Sequence, residues 1–82
     1  MHKDVALISL ANVLHRAHYS NEAAVVVHAA IDVSKELNVN HFTLGNIDAV
    51  SGGLIVDNFT LGDVVYDYII VYHYTILAPS MM

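Results

Sequence analysis

The run from Val64 to Leu77 reads VVYDYIIVYHYTIL, and no other feature constrains the fold of this chain as strongly. Nearly every side chain in it is β-branched or tyrosine. Such residues lose rotamer freedom in a helix and pack well on a pleated surface, so the run predicts strand. It does not predict a membrane span. The stretch to Pro79 carries Asp67, His73 and four tyrosines, and it is shorter than the ~20 apolar residues a spanning helix needs.

The rest of the C-terminal half supplies turns. All four glycines follow Asn38. Phe42-Thr43-Leu44-Gly45-Asn46-Ile47 returns seventeen residues later as Phe59-Thr60-Leu61-Gly62-Asp63-Val64. Read as a three-residue hairpin loop with a left-handed glycine, each Thr-Leu-Gly reverses the chain, and Gly52-Gly53 makes a further two-residue turn. The outcome is an antiparallel meander with strands near 38–42, 46–51, 54–59 and 63–77. The competing reading makes Thr60 a helix N-cap, with Asp63 three residues on and Phe59 stapled to Val64. That reading gives an all-α chain.

The N-terminal half predicts two helices. Val5, Leu7, Ile8, Ala11, Leu14 and Ala17 form an apolar stripe from Lys3 to about His18, with Ser9, Asn12 and Arg16 opposite. Ser20 is placed to cap a second helix that runs to about Leu37. There His28, Asp32, Lys35 and Glu36 make a narrow polar stripe among Ala23, Val27, Ala30 and Val33. The short connection makes the helices antiparallel neighbours. The expected architecture is therefore α+β, one domain over 1–82. A helical half (3–37) packs on one face of a strand half (38–77).

Alternation along the predicted strands sorts side chains by face. Val39, Ile47, Ala49, Leu54, Val56, Val64, Tyr66 and Tyr68 are expected toward the helices. Asn40, Asn46, Asp48, Asp57, Asp63 and Asp67 are expected on the other side, together with Val50, Ile55, Phe59 and Val65. In this register Asp48 and Asp57 oppose one another, a destabilising arrangement. The net charge is −5 and no Lys or Arg follows Lys35. The candidate partner-binding surface is accordingly Asp48, Asp57, Phe59, Asp63 and Asp67, suited to a basic surface on another protein. The plain alternative is a solvated face kept acidic for solubility. The last strand outruns its partner, so Ile70, Tyr72, His73 and Tyr74 are expected at a projecting edge. A second copy would cover that edge, giving a homo-oligomer such as a dimer, unless the overhang wraps its own helices.

Composition excludes several chemistries. Without cysteine there is neither a disulfide framework nor a zinc–thiolate site. An anionic chain with three basic residues releases few phosphate counterions, which argues against direct nucleic-acid or anionic-membrane binding. No nucleophile elbow or phosphate-cradling loop is present. His15 and His18 lie on one helix side, with His28 and Asp32 as conceivable co-ligands, but a helix-end charge role for His15, Arg16 and His18 is the simpler account. No catalytic residue, metal or cofactor is expected, and the N-terminus lacks a signal peptide pattern, which implies a cytoplasmic chain. Size and charge together resemble phage accessory and anti-defence proteins. That resemblance implies a non-enzymatic inhibitor or adaptor that docks on a basic surface of a larger protein. The alternative is an obligate homo-oligomer with a structural role, or one that sequesters a small ligand at Tyr72, His73 and Tyr74.

Overall fold

A computed structural model describes residues 2–73 and 75–78 of the chain. It is α+β: helices α1 (Lys3–Arg16) and α2 (Ala23–Glu36) precede strands β1 (Phe42–Thr43), β2 (Ile47–Val50), β3 (Gly53–Leu61), β4 (Val64–Tyr72) and β5 (Thr75–Leu77). The core joins Ala6, Leu10, Val13 and Leu14 of α1 and Val26, Ala29, Ala30 and Val33 of α2 to Leu54, Val56, Phe59, Leu61, Val64, Tyr66, Ile69 and Val71 of the sheet. On α1 this stripe is rotated from the expected one. Val5 and Ile8 are 46% and 60% exposed, while Ala6 and Leu10 are fully buried. The small Ala6 faces inward and leaves room for the sheet to approach. The polar stripe of α2 (His28, Asp32, Lys35, Glu36) is exposed as expected.

Both helices end the same way. The Tyr19 N–H donates to the Leu14 carbonyl and the His18 N–H to that of His15; the Val39 N–H donates to Ser34 and the Asn38 N–H to Lys35. These are two Schellman motifs, with His18 (φ 54°) and Asn38 (φ 56°) at the left-handed positions. Asparagine tolerates that conformation; histidine is strained in it by about 1–2 kcal/mol. His18→Gly is therefore expected to stabilise the fold by roughly 0.5–1 kcal/mol after glycine's own entropy cost, with Asn38→Gly gaining less. Thermal melts followed by circular dichroism check the ranking. At the other end of the connection, Ser20 does not cap α2. Glu22 occupies the N-cap without a side-chain hydrogen bond.

The sheet differs from a four-stranded meander. β1 and β2 do not pair with each other; both run antiparallel to β3, in one continuous register (Phe42↔Leu61, Ile47↔Val56). Thr43-Leu44-Gly45 is consequently not a hairpin loop. Gly45 is there because its backbone comes close to β3. Its N–H donates to the Asp57 carbonyl at 2.7 Å, and a Cβ would stand 2.7 Å from that same oxygen. The second copy of the motif does turn the chain, at Gly62 (φ 63°) and Asp63, with Thr60 and Leu61 inside β3. The remaining hairpin turns on Ser51-Gly52, because Val50 already pairs with Gly53.

Inward facing also changes phase part-way along the strands. On β3 the buried residues are Leu54 and Val56, then Phe59 and Leu61; on β4 they are Val64 and Tyr66, then Ile69 and Val71. On the outer strand Phe42 and Leu44, then Ile47, pack against the core. The three changes line up across the sheet at Gly45-Asn46, Asp57-Asn58 and Asp67-Tyr68. No residue is inserted between β3 and β4: Asp57↔Tyr68 and Phe59↔Tyr66 keep one register. Asn58 at φ 53° carries the reversal, in a left-handed conformation that asparagine enters more readily than most residues.

Candidate interaction surface

The phase change relocates several candidate residues. Asp48 and Asp67 are exposed on β2 and β4, Asp63 is exposed in the β3–β4 turn, and Asp57 is half-buried. Asp48 and Asp57 do not face each other. Asp48 pairs with Ile55 and Asp57 with Tyr68, because the turn falls one residue earlier than Gly52-Gly53 and the register moves by two. This removes the carboxylate opposition. Phe59 leaves the surface altogether. It is fully buried, its ring stacked on Tyr66 at 5.8 Å and 16°. Tyr68 moves the other way and is 39% exposed. Tyr66 and Tyr68, both expected toward the helices, therefore face opposite ways, since they are on opposite sides of the phase change.

Among the described residues no long overhang projects from the sheet. β4 ends at Tyr72, the chain turns at His73 (φ 49°), and β5 folds back to pair Ile70↔Leu77, Val71↔Ile76 and Tyr72↔Thr75. Ile70 also pairs with Ile55, so at this level β4 is an interior strand and Ile70 is not an edge residue, while Tyr72 is covered on one side by Thr75 of β5. His73 is exposed in the turn and its ring meets Tyr19 edge-on at 6.5 Å; Tyr74 lies outside the described residues. Burial raises the Tyr19 pKa, and its buried hydroxyl has no hydrogen-bond partner among the described residues.

The outward side of the sheet combines exposed Val65, Tyr68 and Leu77 with exposed Asp48 and Asp67. No cation is available there from the sequence beyond Lys35. The helical layer holds all three cations, and two of them are engaged. The Arg16 guanidinium pairs with the Glu36 carboxylate and ties α1 to α2. The Lys3 ammonium lies 5.7 Å from the Tyr66 ring centroid, while the Tyr66 hydroxyl donates to the Lys3 carbonyl at 2.6 Å.

This tether between the start of α1 and β4 has no sequence-level signal, because its partners are 63 residues apart. Burial, and then the nearby Asp4 charge, push the Tyr66 pKa up to about 12. The unfolded chain ionises near pH 10, so the neutral phenol favours the fold below that pH, and the contribution is lost as pH rises from about 10 toward 12. Tyr66→Phe is expected to cost about 1 kcal/mol at neutral pH and to weaken this alkaline destabilisation. Urea titrations at pH 7 and pH 11 check both effects.

Among the described residues no group of three or more His, Asp or Glu side chains is placed to hold a metal. Nor is any helix among them long and apolar enough to cross a membrane.

Over 51 residues, 62% of the chain, the sequence is 59% identical to tetratricopeptide repeat protein 17 of Danio rerio. Over 50 residues, 61% of the chain, it is 62% identical to the proteins of that name from Homo sapiens and Mus musculus. The chain spans 4% of the length of these curated relatives. No family model and no solved structure matches. Vertebrate relatives overturn the phage accessory and anti-defence reading, and with it the inhibitor or adaptor role that the resemblance implied. Small size and negative charge recur in unrelated lineages and do not identify one.

Proposed function

We propose that the chain is a non-enzymatic protein-interaction module built around a tetratricopeptide-type helix pair. The observation that carries this reading is the identity of about 60% over 50–51 residues with proteins named for that repeat. The repeat is a helix–turn–helix of 34 residues, and α1 and α2 together occupy residues 3–36, the same length. Its motif places large apolar, Leu, Gly and aromatic residues at W-x2-L-G-x2-Y, followed by A-x3-F. Leu7, Leu10, Ala11 and Leu14, then Ala23 and Val27, stand at those spacings, with aliphatic residues for the aromatics and alanine for the glycine. Repeats of this kind stack side by side and present extended surfaces to protein partners.

The partner we infer carries cations around apolar side chains and meets the outward side of the sheet at Asp48, Asp67, Val65 and Tyr68. A second copy is a poor occupant, because two such faces set carboxylate against carboxylate with no intervening cation. The test is affinity capture with cross-linking from vertebrate cells, using wild type, Asp67→Lys/Tyr68→Ser, and Ile8→Asp on the open face of α1. All three substitutions are at exposed positions and are expected to leave the melting temperature nearly unchanged. Loss of specific partners with the sheet variant supports the assignment. Loss with Ile8→Asp alone moves the surface to α1, and unchanged capture in both removes the interaction reading.

A further inference from the structure

The likeness to the repeat proteins necessarily reaches the segment that follows α2. A run of 50 residues cannot be placed in an 82-residue chain without covering residues 33–50. The shared stretch thus includes Phe42–Val50, which here is β1, the link and β2. Within it Leu44-Gly45 stands 34 residues after Leu10-Ala11, which lie inside α1; one full repeat on, a helical array places this pair inside its next helix.

In the present fold this segment is lightly held. It is an outer strand broken into two and four residues. None of residues 40–50 is fully buried. It is paired only with β3 among the described residues. It also carries a helix-start pattern of its own: Thr43 at an N-cap position, with Phe42 and Ile47 on either side at the spacing of a hydrophobic staple.

We propose that residues 42–50 have two accessible conformations. One is a strand held against β3 in this chain; the other is a helix of the kind that follows α2 in a repeat array. The inference rests on the tetratricopeptide reading of α1 and α2. It gives Gly45 opposite values in the two states. The strand requires glycine, because a Cβ would meet the Asp57 carbonyl at 2.7 Å and the Asn58 side chain at 3.3 Å. A helix is weakened by glycine and favoured by alanine. A helix here also leaves the β3–β4 hairpin intact, since it removes only the outer strand. Such a near balance between two packings of one sequence is a known class of switch.

The experiment is NMR secondary chemical shifts and far-ultraviolet circular dichroism on the full chain and two variants. Gly45→Ala strikes the strand and favours the helix. Asn46→Glu completes a capping box with Thr43 at an exposed position whose part in the sheet is its backbone carbonyl, which accepts from Asp57 N–H at 2.9 Å. The second variant leaves that bond possible and does not crowd β3, so it decides the matter if the first fails to fold. The expected result is a change from strand to helix shifts over residues 43–50 in Gly45→Ala, a partial change in Asn46→Glu, and β3–β4 shifts that stay put. Helical ellipticity rises by roughly a quarter in Gly45→Ala, the seven residues 44–50 added to the 28 of α1 and α2. Strand or coil shifts over 43–50 in both variants overturn the proposal. Loss of helical shifts in α1 and α2 of the wild type would count instead against the repeat reading.

Discussion

Phe59→Ala is expected to cost about 3–5 kcal/mol, the range for emptying a buried aromatic site. A chain of 82 residues has a total stability of only ~4–12 kcal/mol, so the variant should be at the edge of folding. The size of the effect follows from position. The ring is fully buried, stacks on Tyr66 at 5.8 Å, and lies just beyond the residue where β3 changes face. Simple alternation from Leu54 puts Phe59 on the solvent side, where truncation typically changes stability by about 0.5 kcal/mol or less. Equilibrium urea denaturation separates the two outcomes. A shift below about 1 kcal/mol would mean that the strand does not reverse at Asn58.

Gly53→Ala is the second large effect, at roughly 3 kcal/mol. A Cβ at this position would collide with the Val71 carbonyl oxygen and stand 2.9 Å from Tyr72 Cδ1. The first obstacle is backbone in a paired strand, so relief requires β3 and β4 to separate where Leu54 meets Val71. The cost therefore belongs at the upper end of the range for overpacking. Gly52→Ala is the useful comparison. Gly52 has φ 80° but its nearest obstacle is Tyr72 Cδ1 at 3.8 Å, so its penalty is the left-handed strain alone, about 1–2 kcal/mol. Urea titrations should place Gly53→Ala below Gly52→Ala in stability. In amide exchange, Gly53→Ala should also expose the Leu54–Val71 end of the ladder, whereas Gly52→Ala should not. The reverse order would put the two-residue turn at Gly52-Gly53 and carry the β2–β3 register with it.

The α+β class was readable because it depends on short-range physics. Val64–Tyr72 is β-branched and aromatic, so it favours strand wherever it is placed. The exposed stripe of α2 follows from helical spacing alone, and Gly62 falls in a turn of the kind glycine favours. The interaction surface was legible only in outline. Asp48, Asp63 and Asp67 are exposed as alternation requires, but alternation carries a face along a strand only until the backbone departs from the extended form. Asp57-Asn58, an unusual pair in the middle of a strand, was the available sign of that departure.

Tertiary contacts decided the rest. The two Thr-Leu-Gly copies are chemically alike, yet Gly62 reverses the chain and Gly45 runs straight on, because only Gly45 comes up against the Asp57 carbonyl. The face of α1 was settled by which side chains fit beneath the sheet, which placed Ala6 inside and Ile8 outside. Tyr66 reached Lys3 across 63 residues. Local sequence dictates the conformations a segment prefers, since those energies arise within a few bonds. The facing of each strand and the tether between layers depend on steric contact between distant segments, which exists only once they have come together.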